Sequence, residues 1–304
     1  GLNSPLEFKA YQEAFKRGHL LNRAHLFFKP EYLPILSELG VTEGFGNDWI
    51  KVAGIKVMVD GAPSSRTGAL FEPYANEEEN RGILLYSKEE LHRLVSEVHK
   101  AGLQTAIHGC GDRAIHMILE AYENMLPKGS VKTHRHRIEH GFVLNESLLQ
   151  RMRDLGVIVT TQPSFIYRVG DAYANNLGPK RMASTFAVKS LLENGILTAG
   201  GSDCPVTPHD PLLGVYSAVT RKSSSGTTHG IHEKISVEDA LRMYTVASAY
   251  ACFEEGDRGS IEVGKFGDMA VLSADPREVP EDEVKDIKVE MTIVGGRVVF
   301  ENIS

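Results

Sequence analysis

The sequence predicts an α/β protein made of β-strand–α-helix units from a (β/α)8 TIM-type barrel, followed by a smaller antiparallel β-region. Short apolar runs alternate with amphipathic stretches, which is typical of a parallel sheet whose strands are joined by helices. Two of the amphipathic stretches end at a glycine, Gly102 and Gly195, directly before an apolar run. A glycine at this position favours the left-handed turn that ends a helix. After Cys252 the pattern changes to short alternating runs rich in glycine.

The chain first predicts a helix over residues 4–17, with Ser4 as N-cap, Pro5 at the first helical position and Glu7 completing a capping box. Strands follow over 20–28, 50–59, 104–108, 137–139, 157–160 and 197–200. Further helices are predicted over 87–101, 113–125, 146–155, 183–194 and 237–251. A closed barrel needs eight strands, so we expect an incomplete barrel of about six strands, with the missing strands before residue 1. We assign 1–253 to the partial barrel and 254–304, with antiparallel runs over 259–263, 269–272 and 289–300, to a second unit.

Composition excludes several classes of partner. The 304 residues carry a net charge of -7, so the basic surface that nucleic-acid binding requires is not expected. No run of eighteen or more apolar residues and no leader-like start occurs, so we expect no membrane span and a cytoplasmic protein. Three cysteines without a CxxC pair argue against a disulfide framework and agree with a reducing compartment. A small-molecule substrate, neutral or cationic, is the expected ligand.

Lys56 lies within the apolar run Gly-Ile-Lys-Val-Met-Val, where a solvated lysine is not expected. Burial disfavours the ammonium, and the neutral amine can react with carbon dioxide to give a carbamate, which is an anionic metal ligand. The alternative is a structural lysine held in an ion pair. His108 and His140 each close a predicted strand, which places them on the face of a βα barrel where catalysis occurs. Imidazoles from neighbouring strands suit Zn²⁺ or a similar divalent ion, although a buried hydrogen-bonded histidine is the alternative for each.

Asp203 follows the last barrel strand, where a carboxylate could bind metal and accept a proton from water. The pair His134-x-His136 has the spacing of metal ligands, but it precedes a strand, so a surface loop is the better interpretation. His229 and His232 are expected to be solvated. Cys110 and Cys204 stand beside candidate ligands and are interpreted as small packed residues.

Lys56, His108, His140 and Asp203 occur in an order that resembles the amidohydrolase superfamily, in particular the subgroup typified by N-substituted formamide deformylase. The motifs that carry the resemblance are GIKVMVDGAPSSRTGAL, AIHGCGDRAI, HRIEHGF, TTQPSF, GSDCPV and ALRMYTVASAYACFEEGDRGSIEVGKFGDMAVLSADP. The resemblance implies a complete barrel with two metal ions, bridged by carboxylated Lys56 and bound by His108, His140 and Asp203. It also implies that residues 254–304 are part of a small β-sandwich domain. The HxH motif of the family's first strand does not precede Lys56 here, so we expect the amino-terminal part to be missing.

The resemblance implies hydrolysis of a C–N bond other than a peptide bond, in an amide, N-acyl or N-formyl substrate. Metal-activated water would attack the carbonyl, and Asp203 would carry the proton to the leaving nitrogen. A cyclic-amine deaminase is the enzyme alternative, but the glutamate that related deaminases place three residues after the fifth-strand histidine is Gly111 here. A catalytically inactive fragment or regulatory barrel is the other alternative.

The loop after the fourth strand of the complete barrel supplies the predicted substrate contacts. Ser64, Ser65 and Arg66 are expected to line the mouth of the site, with Arg66 pairing either with a substrate carboxylate or with Asp112. With the HxH motif missing, we expect weak, partial zinc binding at His108 and His140 and no useful hydrolytic rate from this 304-residue chain, the full-length protein being the enzyme. Open sheet edges present unpaired backbone groups, so we expect the chain to associate, for example as a homo-oligomer.

Overall fold

A six-stranded parallel sheet, curled as part of a barrel, dominates the computed structural model, which describes residues 1–126 and 134–302. The strands pair strictly in chain order: β1 (Ala24–Phe28), β2 (Ile50–Met58), β3 (Gln104–Gly109), β4 (Arg137–His140), β5 (Ile158–Thr161) and β6 (Thr198–Gly200). All five pairings are parallel. The predicted α/β class and the six-stranded partial barrel are therefore confirmed.

Helices precede, connect and follow the strands, and those between β1 and β6 make the crossovers that a parallel sheet requires. They are α1 (Pro5–Lys16), α2 (Leu33–Glu38), α3 (Lys88–Lys100), α4 (Asp112–Met125), α5 (Glu146–Leu155), α6 (Ser164–Ala183), α7 (Val188–Glu193), α8 (Pro211–Thr220), α9 (Val237–Tyr244) and α10 (Val246–Ala251). No helix among these described residues is both long enough and apolar enough to cross a membrane.

Strand β2 shows how the sheet separates its two faces. Side chains alternate along a strand, and Ile55 and Val57 are fully buried in the main core. Lys56 and Met58 point to the other face, and Met58 is 43% exposed. That exposure follows from the open sheet: no strand of the described residues bridges the space between β1 and β6. One face therefore supports the helices, and the other lines the concave side of the curled sheet.

The carboxy-terminal strands form a separate antiparallel sheet, β7 (Met269–Leu272), β8 (Val289–Val294) and β9 (Arg297–Glu301). Gly295 and Gly296, both with positive φ, make the turn between β8 and β9. The expected strand over 259–263 is wrong, because these residues form turns and irregular backbone. The predicted boundary near Phe253 falls between α10 and β7, and the division into domains stays a prediction.

Two local expectations also differ from the structure. Ser4 occupies the N-cap position of α1, but its side chain makes no capping hydrogen bond, and Glu7 instead accepts one from the backbone N–H of Asn3 at 2.6 Å. The helix predicted over 183–194 is in fact the end of α6 followed by α7. The complete capping box occurs at α3, where Ser87 and Glu90 cap each other's backbone N–H groups.

Candidate metal centre

His108 is the residue before the last one of β3, and it is 7% exposed. Its Nε2 is 3.1 Å from the carbonyl oxygen of Gly61 and 3.4 Å from Sγ of Cys110. Burial lowers the pKa of His108 to about 4, so the imidazole is neutral at physiological pH. A neutral imidazole is the form that binds a metal ion.

His140 is the last residue of β4, and its ring centroid lies 4.3 Å from that of His108. The backbone φ of 79° at His140 is one that residues with a side chain rarely adopt. Strain of this kind occurs preferentially at functional sites. The Nδ1 atom is 2.7 Å from Oε1 of Gln162, an acceptor, so the proton resides on Nδ1 and the lone pair on Nε2. Burial lowers the pKa of His140 well below its ordinary value.

Asp60 is a residue of the site that sequence reasoning missed. Its carboxylate is 1% exposed and accepts hydrogen bonds from the backbone N–H groups of Ala69, Cys110 and Gly111, at 2.8 to 3.0 Å. Burial raises the pKa of Asp60 to about 7, although these three hydrogen bonds oppose the rise. Oδ1 is 3.4 Å from Nε2 of His108. A carboxylate that ends an apolar strand run was the available signal, the same signal that identified Asp203.

Cys110 is buried and packs in a hydrophobic cluster, as predicted. It follows β3 directly, two positions after His108, and its Sγ is 3.4 Å from Nε2 of His108. Donor atoms of His108, Cys110 and His140 all lie within 4.8 Å of one another. Two imidazoles and a thiol are a donor set that fits a divalent metal ion.

Lys56 and Asp203 lie beside this group without hydrogen bonding to the two histidines. Lys56 is half-buried on the concave face, and burial lowers the pKa of its ammonium, with Glu139 and Asp203 opposing. Asp203 follows β6 in an exposed turn with φ 53°. Desolvation raises the pKa of its carboxyl while Lys56 lowers it, so the two side chains are electrostatically coupled.

The loop after β2 begins at the site, since the carbonyl of Gly61 contacts His108. Ser64 and Ser65 are exposed. Arg66 forms an ion pair with Glu77 and donates from Nε to Asn176 at 2.9 Å. The expected pairing of Arg66 with Asp112 is therefore not formed.

Asp112 uses Oδ1 to accept hydrogen bonds from two backbone N–H groups, those of Phe71 at 3.0 Å and Arg113 at 2.9 Å. Burial raises the pKa of this carboxyl. Its observed contacts therefore join the start of α4 to the loop after β2. A role for Asp112, Ser64, Ser65 or Arg66 toward substrate stays a prediction.

Three other histidines considered in the sequence have surroundings of their own. His136 precedes β4 as expected, but the surface-loop interpretation is wrong, because its ring is 2% exposed and Nδ1 accepts from the backbone N–H of Thr105 at 3.1 Å. His229 is also buried rather than solvated, and its Nε2 lies 2.7 Å from Asp171. His232 is exposed, as predicted, and Cys204 is exposed rather than packed.

Gly111 occupies the position at which related deaminases were expected to have a glutamate. A Cβ atom built on Gly111 would lie 1.9 Å from the carbonyl oxygen of Ala69, far inside contact distance. The Gly111 N–H also donates to Asp60 at 2.9 Å. A side chain at position 111 would therefore require this backbone to shift.

Comparison with known proteins agrees with this geometry. Residues 1–300 match the model of the amidohydrolase family. The putative amidohydrolase YtcJ of Bacillus subtilis is 34% identical over 96% of this chain and 55% of its own length. N-substituted formamide deformylase of Arthrobacter pascens is 31% identical over 83% of this chain and 46% of its own length. The chain therefore spans about half the length of these curated relatives.

Among solved structures, an uncharacterized metal-dependent hydrolase from Pyrococcus horikoshii superposes with a TM-score of 0.80 and 28% sequence identity. The match covers 90% of this chain and 55% of that one. The sequence match, the order of the strands and the paired histidines at the ends of β3 and β4 agree with the resemblance found in the sequence motifs. This chain belongs to the amidohydrolase family.

Proposed function

We propose that this chain is the metal-holding part of a hydrolase that cleaves C–N bonds other than peptide bonds, in amide, N-acyl or N-formyl substrates. The observation that carries the proposal is the buried pair His108 and His140, 4.3 Å apart between ring centroids, at the ends of adjacent strands. The similarity to N-substituted formamide deformylase supports the substrate class. The glycine at position 111, where related deaminases were expected to have a glutamate, counts against the deaminase alternative.

His108 and His140 would hold a divalent ion, which we propose to be Zn²⁺, through neutral imidazole nitrogens. Gln162 fixes the tautomer of His140 so that Nε2 presents its lone pair to the ion. When bound, the ion would activate water and polarise the substrate carbonyl. We place the reaction in the cytoplasm, in keeping with the absence of a disulfide pattern among the three cysteines.

Lys56 would act in its carboxylated form. Burial favours the neutral amine, whose nitrogen forms a bond to the carbon of carbon dioxide and releases a proton, giving an anionic carbamate. The carbamate would provide the oxygen ligands that the amine lacks. The amine itself, once protonated, would repel a cation, so carboxylation would strengthen metal binding.

Asp203 would accept a proton from water and deliver it to the departing nitrogen. The carboxylate is exposed, and Lys56 lowers the pKa of its carboxyl against the effect of desolvation, which supports this role. General acid–base catalysis by a positioned side chain contributes roughly 10²–10⁴-fold to a rate. Ser64, Ser65 and Arg66 would line the entrance to the site, together with Asp112, and position the substrate.

The test uses the full-length gene product, stripped with chelator and reloaded with zinc. We expect it to hydrolyse N-formyl and N-acetyl amines, and Asp203→Asn to lower kcat by about 10²–10⁴-fold while retaining the metal. His140→Ala should lose metal and activity together, and His232→Ala, at an exposed position, is the matched control. Release of ammonia from aminopurines or cytosine would instead identify a deaminase. Metal binding without turnover of either class would identify a non-catalytic barrel.

A further inference from the structure

Cys110 packs in a buried hydrophobic cluster, and its sulfur also lies next to a candidate metal ligand. Its side chain is 1% exposed, and Sγ lies 3.4 Å from Nε2 of His108. In a tetrahedral zinc site with Zn–N of about 2.05 Å and Zn–S of about 2.3 Å, a bound nitrogen and sulfur are about 3.6 Å apart. The observed separation is therefore close to that of two ligands on one ion.

We propose that Cys110 is a metal ligand, whose thiolate joins His108 and His140 in a three-ligand site for a borderline-soft divalent cation such as Zn²⁺. The inference rests on the proposed metal centre and adds one protein ligand to it. Two imidazoles alone would hold zinc weakly. A third protein ligand, with water in the fourth position, gives the ligand count of a catalytic zinc site.

The backbone around Cys110 is held in a way that suits a ligand. Asp60 accepts from the Cys110 N–H through Oδ1 at 3.0 Å, and the same oxygen is 3.4 Å from Nε2 of His108. One buried carboxylate therefore positions the backbone of Cys110 and lies against the ring of His108. Asp60 therefore fixes the backbone that carries Cys110 relative to His108.

Binding an ion requires only a small movement of the three side chains, and each displaced proton has a place to go. The three donor atoms lie within 4.8 Å of one another, so they must approach by about 1 Å to reach tetrahedral ligand spacings of about 3.3–3.6 Å. The Cys110 thiol releases its proton to solvent as sulfur binds the ion. The proton on Nε2 of His108 moves to Nδ1 as Nε2 turns from Gly61 to the ion. His140 needs no change of tautomer, because Gln162 already holds its proton on Nδ1.

The donor set predicts a metal preference as well as a site. Thiolate sulfur favours Zn²⁺ and Co²⁺ over Mg²⁺ and Mn²⁺, which prefer oxygen. A site made only of imidazole and carbamate would discriminate less strongly. Selectivity against Mn²⁺ is therefore a readout that does not depend on activity.

The experiment loads the 304-residue chain with Co²⁺ after chelation and records its absorption spectrum. We expect one ion per chain and a near-ultraviolet thiolate-to-cobalt charge-transfer band. Cys110→Ser and Cys110→Ala should abolish the band and weaken zinc binding by more than about 100-fold, beyond the loss expected for an outer-shell partner. Cys204→Ser and Cys252→Ala are the matched controls and should keep the band. Far-ultraviolet circular dichroism of each variant verifies the fold.

Three results would overturn the inference. Stoichiometric metal without the band would remove Cys110 from the site while leaving the proposed histidine centre intact. A band that survives Cys110→Ser but is lost in Cys204→Ser would assign the thiolate to Cys204. Failure of the folded chain to bind Co²⁺ or Zn²⁺ at all would overturn the three-ligand site, and a full-length product that still binds zinc and hydrolyses amides would preserve the proposed function.

Discussion

Glu254, directly after the predicted barrel boundary, is the ion-pair partner of side chains from two strands. Its side chain is 1% exposed, with Oε1 2.7 Å from Lys51 Nζ and Oε2 2.9 Å from His25 Nε2, and it also contacts Arg258. Burial by itself would raise the pKa of this carboxyl, but the contacts with His25, Lys51 and Arg258 lower it to about 2. The native state therefore stabilises the ionised form strongly.

Glu254→Gln removes the negative charge of this side chain, so the cations of Lys51 and Arg258 lose the carboxylate with which they are paired. Lowering a carboxyl pKa from its ordinary 4.5 to about 2 corresponds to about 3 kcal/mol of stability at neutral pH. Loss of one partner from a buried ion pair costs a similar amount, about 3–5 kcal/mol. We therefore expect Glu254→Gln to lower the free energy of unfolding by about 3 kcal/mol at pH 7.

The lowered pKa of Glu254 determines how its contribution to stability changes with pH. Because the folded-state pKa lies below the unfolded one, the stabilisation is complete above about pH 4.5 and disappears as the pH falls towards 2. Urea unfolding of both proteins at pH 7, 4 and 3 should show the difference between them narrowing on acidification. Glu193→Gln, at an exposed helix position, is the control and should change little. A difference below about 1 kcal/mol at pH 7, or one independent of pH, would refute the electrostatic argument.

Three further predictions follow from the site and the sheet. Gly111→Ala should lower the free energy of unfolding by at least about 1–3 kcal/mol, because its Cβ would meet the carbonyl of Ala69. Gly256→Ala is the control, since a Cβ at position 256 would contact no other atom. Equal thermal midpoints for the two variants would contradict this prediction. Gln162→Leu should weaken zinc binding by about 10–100-fold by freeing the ring of His140, with exposed Gln150→Leu as control; unchanged zinc titrations would count against an orienting role. The outer edges of β1 and β6 have no strand partner among residues 1–126 and 134–302, so light scattering should show association that rises with concentration. A monomer with one sharp thermal transition would contradict the last expectation.

Local sequence pattern was enough to predict the framework of the fold. The βα alternation predicted all six strands of the parallel sheet, and His108 and His140 were identified because a histidine at the end of such a strand lies on one edge of the sheet. Apolar runs and helix-ending glycines are short-range signals. They depend on a few neighbouring residues and not on the element that packs against the strand or helix.

Helices buried on all sides were harder to predict. In α8 nine residues from Leu212 to Thr220 are buried, so no polar face marks the helical period. Helix α6 is interrupted at Gly178, where φ is 76°, and continues into Pro179, which removes the usual helical signal. Both helices are specified by what packs around them, which a single stretch of sequence does not show.

The residues of the site were likewise found partly from the sequence and partly from the tertiary structure. The order of residues in the sequence suggested Lys56, His108, His140 and Asp203. Only the folded chain brings Asp60 beside His108, 48 positions away in the sequence. Folding also brings Cys110 within 4.8 Å of both histidines. Burial depends on the same long-range packing, which is why His136 and His229 were misassigned to solvent. Strand pattern is local, whereas donor geometry and desolvation arise when distant segments converge, and for that reason tertiary structure alone decided them.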